Sequence, residues 1–260
     1  MLNIFKKIKD FFFRRLGSGS PKPAERLEDK QTFYSAQPEP VKDFEDEQAD
    51  SLTDFCSKAS YFQTSDQNLI SVISNPGALG EFQLCAELDK LTIDKRILVN
   101  LYLPNKGSGT TEIDVICITQ GGIFVIENKN YSGRIYGKEQ YKNWIYYPHS
   151  NMKEPISFYS PILQNQAHIK ALKFNFPHLG DNLFHSLIVF SNRCVLNCSS
   201  KSVPVLHRSE ICRFIERVTK ENNALAPKEM ERLYQSLVAF CRASSDVKEK
   251  HIDYVKSLQH

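Results

Sequence analysis

Glu112-Ile-Asp-Val-Ile-Cys-Ile-Thr-Gln-Gly-Gly-Ile-Phe-Val-Ile-Glu-Asn-Lys-Asn130 is the stretch on which the fold turns. Two apolar runs, Glu112 to Thr119 and Gly122 to Glu127, flank Gln120-Gly121, a spacing that predicts a β-hairpin in the middle of a sheet. Side chains alternate along a strand, so Glu127 and Lys129 project to one face. Asp114 stands in the preceding strand between Ile113 and Val115. Charges set among apolar residues are costly unless they are paired or bound to a metal. Two carboxylates brought close repel each other, and a hard divalent cation, Mg2+ or Mn2+, relieves that through oxygen ligands. Asp114 and Glu127 are the candidate ligands. A cation held there would lower the pKa of its water and polarise a phosphodiester oxygen, while Lys129 orients the water or stabilises developing negative charge. The plainer alternative is a Glu127–Lys129 ion pair at a sheet end with no catalytic role.

Upstream, Pro76-Gly77 precedes a helical pattern with Leu79, Phe82, Leu84, Ala86, Leu88 and Leu91 mostly on one face. Ile97 to Leu103 reads as a strand, ended by Pro104 and the turn from Asn105 to Gly109. Downstream, short strands are expected at Arg134 to Tyr136 and Trp144 to Tyr147, and Pro161 opens a helix through Phe174. Ser186 to Phe190 reads as a buried strand and Val203 to Leu206 as a weaker one. Ser209 is placed to cap a helix reaching Val218, and Pro227 to start another that continues to Ala243. The order of elements predicts an α/β fold with a central mixed sheet flanked by helices.

The 260 residues carry a formal charge of +3, too little to argue for nucleic acid without local patches. One such patch is interleaved: Tyr131, Tyr136, Tyr141, Trp144, Tyr146 and Tyr147 alternate with Lys129, Arg134, Lys138 and Lys142. Stacking and phosphate contacts there would hold a nucleic-acid strand; an aromatic-rich sheet edge with solvated lysines is the alternative. Seven scattered cysteines, several inside apolar runs, suit buried thiols in a reducing compartment, hence a cytoplasmic location. Cys194 and Cys198 are closely spaced, but no clean second ligand pair accompanies them, and they read as core or loop thiols.

Residues 1–16 place Leu2, Phe5, Ile8, Phe12 and Leu16 at helical spacing. Five basic residues among them, against Asp10, give a local charge of +4. Such a basic amphipathic helix suits peripheral contact with the inner face of a membrane, or packing on a partner. Residues 17–54 read as a flexible acidic linker, expected to be disordered. Thr53 to Ser74 has room for a short helix.

An acidic residue, a hairpin and then Glu-Xaa-Lys resembles the PD-(D/E)XK nuclease superfamily. The longer series resembles the nuclease-related domain (NERD) family. It comprises Gly80-Glu81, Glu112-Ile-Asp114, Gly122 to Asn130, Gly133-Arg-Ile-Tyr-Gly137, Trp144, and Ser160 to His168. The resemblance implies a restriction-endonuclease-like core over 75–190, followed by a C-terminal strand and helical extension over 191–260. It implies that Glu81 joins the acidic, metal-holding cluster and that Gln164 points into or near the site. His168, one helical turn beyond, reads as structural. Ser160 departs from the asparagine expected before the proline, and Ile113-Asp114 stands for Pro-Asp, where only the carboxylate is chemically required. The activity implied is metal-dependent cleavage of phosphodiester bonds, with DNA favoured over RNA. Arg134, Lys138, Lys142 and Trp144 are the candidate nucleic-acid contacts. A nucleic-acid-binding or membrane-associated regulatory protein that keeps the fold with little turnover is the alternative.

Overall fold

The computed structural model describes residues 54, 56–107, 109–148 and 154–257. The basic helix expected over 1–16 and, Asp54 apart, the linker expected over 17–54 lie outside them. Two short helices, α1 (Ser60–Thr64) and α2 (Leu69–Ser74), precede α3 (Pro76–Leu88). The Asn75 side chain caps α3 by accepting the Gly77 and Ala78 amides at 2.8 and 3.2 Å, and Pro76 fills a first-turn position that needs no N–H. Then come β1 (Arg96–Pro104), β2 (Thr110–Thr119), β3 (Gly122–Lys129), β4 (Gly133–Lys138), β5 (Asn143–Tyr147) and β6 (Ile156–Tyr159). Helix α4 (Pro161–Asn175), capped by Ser160, leads to β7 (Phe184–Phe190), β8 (Cys194–Ser199) and β9 (Val205–His207). Three helices close the described chain: α5 (Ile211–Glu221), α6 (Pro227–Val238) and α7 (Ser245–Ser257).

The strands form two mixed sheets. The first has the order β1-β2-β3-β7-β9, antiparallel through β3 and parallel thereafter. The hairpin of β2 and β3 lies at its centre, as the apolar runs predict, with Val115 opposite Ile126. Helix α4 supplies the crossover that makes β7 parallel to β3. Leu98, Ile116 and Val125 of the strands, Ala171 and Leu172 of α4, and Met230, Leu233 and Leu237 of α6 share one core cluster. These helices therefore cover one face of the sheet. Among the described residues no helix is long and apolar enough to cross a membrane.

The second sheet, of order β6-β5-β4-β8, goes beyond the expectation of one central sheet. Strands β6 and β8 are short and half exposed, so their hydrophobic periodicity is weak. The inner face of this sheet packs Ile135, Trp144, Cys194 and Leu196 against Ile162, Ile188 and Phe190. Two helix boundaries also differ. The helix expected from Ser209 starts at Ile211, because Glu210 folds back to accept the His207 amide at 2.7 Å and closes a turn ahead of it. The helix expected to reach Ala243 ends at Val238, and α7 is additional.

Candidate active site

Site residues come from α3, β2, the end of β3 and the first turns of α4. Glu127 is completely buried, and both its oxygens are engaged. Lys129 donates to Oε1 at 2.5 Å, and Nε2 of His168 lies 2.9 Å from Oε2. Lys129 also donates to Oε1 of Gln164 at 3.1 Å. The other ring nitrogen of His168 sits 2.7 Å from the Thr111 hydroxyl, so β2, β3 and α4 meet in one chain of polar contacts. Asn165 holds α4 in place for this: its buried amide donates to the Val125 carbonyl at 2.8 Å and to the Ser186 hydroxyl at 2.9 Å.

Asp114 accepts the Asn128 amide at 2.8 Å, which fixes it beside the Glu-Xaa-Lys turn. Across from it on β1, Asn100 has φ 51°, a left-handed conformation that asparagine tolerates better than most residues. Side-chain alternation slips at this point, since Leu98 and Leu101, and likewise Ile116 and Ile113, enter the same core cluster. The Asn100 side chain then donates to Oε2 of Glu81 at 2.8 Å. Glu81 is brought in by close approach of α3 to the end of β3. A Cβ on Gly80 would lie 2.5 Å from Cβ of Asn130 and 3.0 Å from Nδ2 of Asn128. Only glycine permits that approach without movement.

The electrostatics separate the carboxylates. Burial raises the Asp114 carboxyl well above its ordinary value, and the charges of Glu127 and Glu81 add to the rise. Burial likewise pushes Glu81 up to about 7, against the hydrogen bond from Asn100 and with help from Glu112 and Glu127. Burial acts the same way on Glu127, but Lys129 and His168 outweigh it and bring this carboxyl below its ordinary value. Desolvation opposes the Lys129 charge, yet Glu127 and Asp114 hold its pKa above the usual lysine range. Glu127 and Lys129 thus form a buried ion pair, with Asp114 and Glu81 as partly accessible carboxylates short of positive charge.

That donor set suits a hard cation in its chemistry: three carboxylates, two of them raised by burial and by neighbouring negative charge. The amide oxygens Oδ1 of Asn100 and Asn128 are also buried without a hydrogen-bond partner. As arranged, however, no group of three or more His, Cys, Asp or Glu among the described residues is set to grip an ion. Asp114 and Glu81 are the accessible donors, and Glu127 is committed to Lys129 and His168.

The structure thus brings Asp114, Glu127, Lys129, Glu81 and Gln164 together. It places the other four candidates differently. Arg134, Lys138 and Lys142 are exposed on or beside the second sheet. Trp144 has no exposed surface: its ring stacks on Phe190 with centroids 6.3 Å apart, and its N–H donates to the Lys138 carbonyl at 3.2 Å. A base has no access to it, which corrects its assignment as a nucleic-acid contact. Cys194 and Cys198 likewise belong to the core beneath this sheet. Thr111, Asn100 and Asn165 carry no sequence signal for their roles. His168 has a weak one, its spacing of four residues from Gln164.

A profile for the nuclease-related domain matches residues 76–191. A relative from Bacillus anthracis, named only as an uncharacterized protein, is 30% identical over 162 residues, or 61% of this chain and 73% of the relative. No solved structure matches the chain.

Proposed function

The chain belongs to the nuclease-related domain family, and from that premise we propose that it cleaves phosphodiester bonds in DNA with the aid of Mg2+ or Mn2+. The observation that carries the proposal is the junction of Lys129, Glu127 and Gln164 within hydrogen-bond reach, beside two carboxylates raised in pKa. Structural ion pairs rarely need such neighbours, whereas hydrolytic sites do. Asp114 and Glu81 are the residues to hold the cation, with Glu127 joining them when one of its oxygens is released. Bound there, the cation supplies Lewis-acid polarisation of the phosphodiester.

The chain's own residues do the rest. Lys129 stays charged and aims its ammonium at the site, where it can position an attacking water and stabilise charge on the phosphoryl oxygens. Gln164 holds the Lys129 side chain in that direction. His168, backed by Thr111, fixes the orientation of Glu127. RNA is the alternative substrate, and the basic residues 1–16 suit recruitment to an anionic membrane surface.

One observation favours a second reading, a nucleic-acid-binding protein with little turnover. Both Glu127 oxygens are already engaged, and no ready three-ligand group exists among the described residues. The deciding experiment incubates the purified chain with supercoiled, linear and single-stranded DNA in Mg2+, Mn2+ or chelator, beside Lys129→Ala. Metal-dependent cleavage lost in the variant establishes the nuclease. Absence of cleavage with DNA binding retained in both proteins overturns it in favour of the second reading.

A further inference from the structure

The outer face of the second sheet is assigned no role by the site. Its strands alternate strictly: Ile135, Gly137 and Trp144 are buried, while Arg134, Tyr136, Lys138 and Ile145 are exposed. Cross-strand register places Arg134 beside Tyr147 and Val195, and Tyr136 beside Ile145 and Asn197. Tyr159 continues the face on β6, opposite Asn143. Large rings and apolar side chains therefore stand in water: Tyr136 is 39% exposed, Tyr159 49%, Ile145 40% and Val195 56%. Tyr141, in the turn from β4 to β5, is 47% exposed with the Lys138 ammonium 5.7 Å from its ring centre.

The charge on this face has one sign. Strands β4, β5, β6 and β8 contain no aspartate or glutamate, and Arg134, Lys138 and Lys142 form no ion pair among the described residues. The nearest acid in sequence, Glu139, is turned away by hydrogen bonds from the Lys201 amide and the Ser200 and Ser202 hydroxyls. Exposed rings in a sheet plane, bordered by unpaired cations and free of carboxylates, match the two chemistries of a single-stranded polynucleotide: base faces to stack and phosphates to neutralise. A duplex keeps its base faces stacked and would leave these rings unused.

We infer that the outer face of the β6-β5-β4-β8 sheet binds a single-stranded polynucleotide, with Tyr136, Tyr141 and Tyr159 stacking bases and Arg134, Lys138 and Lys142 contacting phosphates. The inference rests on the proposed function for its choice of partner. It adds that strand capture occurs on a surface separate from the Lys129 site. The sheet is inserted between β3, which ends in Lys129, and α4, which carries Gln164, so a strand held on it is tethered to both elements of the site.

The test is fluorescence anisotropy with the full chain in chelator, using labelled oligothymidylate, oligouridylate and duplex DNA of about 20 nucleotides per strand. Single strands should bind more tightly than duplex. Tyr136→Ala/Tyr159→Ala should raise Kd about tenfold or more with an unchanged melting temperature. Arg134→Gln/Lys138→Gln should lower the slope of log affinity against log salt by about 1. Phe174→Ala, which removes an exposed ring from α4, serves as control and should leave both unchanged. Duplex preference, or unchanged single-strand binding in both face variants, overturns the inference. Loss of self-association in the face variants without loss of binding would instead make the face an interface between copies. Cleavage that Lys129→Ala abolishes, together with unchanged binding in the face variants, removes this surface and leaves the nuclease reading standing. Binding lost in the face variants, with no cleavage of any substrate, does the reverse.

Discussion

Glu81→Gln should stabilise the metal-free protein above neutral pH. In the wild type, Glu81 is pushed up to about 7 by burial, opposed by its hydrogen bond from Asn100 and reinforced by Glu112 and Glu127. A folded-state pKa above the unfolded value means that the contribution is fully present below about pH 4.5. It is lost as pH rises toward 7, because the unfolded chain ionises more readily than the folded one. A shift of that size corresponds to about 3 kcal/mol at full burial, and partial access of water to the side chain reduces it to about 1–3 kcal/mol. Asp114, raised by burial and by the same neighbours, adds to the decline with the same sign. Glutamine keeps an oxygen to accept from Asn100 and gains an amide for the unpartnered Oδ1 of that residue, so the packing survives. The assay is urea denaturation in chelator at steps from about pH 4.5 to 8. The variant should match the wild type at the acid end and exceed it by about 1–3 kcal/mol at the basic end. Saturating Mg2+ should shrink or invert that gain, since the wild type alone recovers stability from the cation. Parallel pH curves for the two proteins would refute the account of Glu81 as an ionisable group strained by its neighbours.

Two further outcomes follow from the same geometry. Gly80→Ala inserts a methyl group against Asn130 and Asn128, so it should cost about 1–3 kcal/mol in urea denaturation and weaken any Mg2+-induced thermal shift by pushing Glu81 outward; an unchanged stability would mean that α3 adjusts freely. His168→Ala leaves Oε2 of buried Glu127 unmet and should cost about 1–3 kcal/mol, with His168→Asn recovering part of it through its amide donor; equal losses in the two variants would show that the ring contributes packing alone.

The central hairpin was legible because its apolar runs and Gly-rich turn are local. Glu127 and Lys129 share a face through strand alternation alone, although the contact they form is closer than alternation requires. Strands β6 and β8 were missed for the opposite reason. They are short, they alternate buried with exposed residues, and only pairing with β5 and β4 makes them strands. The Tyr and Trp cluster was visible as composition, yet its division was not: Trp144 turned inward to Phe190, while Tyr136 turned outward. Residue spacing within one strand tells the two faces apart but cannot say which face meets the core.

By itself the sequence determined the mixed α/β order, the hairpin, and the pairing of a carboxylate with a lysine two residues on. These follow from periodicities of one strand or one helix, which any solvent-exposed or buried partner would respect. Tertiary structure alone decided what surrounds them. His168 reaches Glu127 across 41 residues, Thr111 reaches His168 across 57, and Asn100 meets Glu81 because β1 turns left-handed where α3 closes over Gly80. Charge in a buried site is governed by such neighbours, since desolvation and Coulomb energies depend on distances in space rather than along the chain.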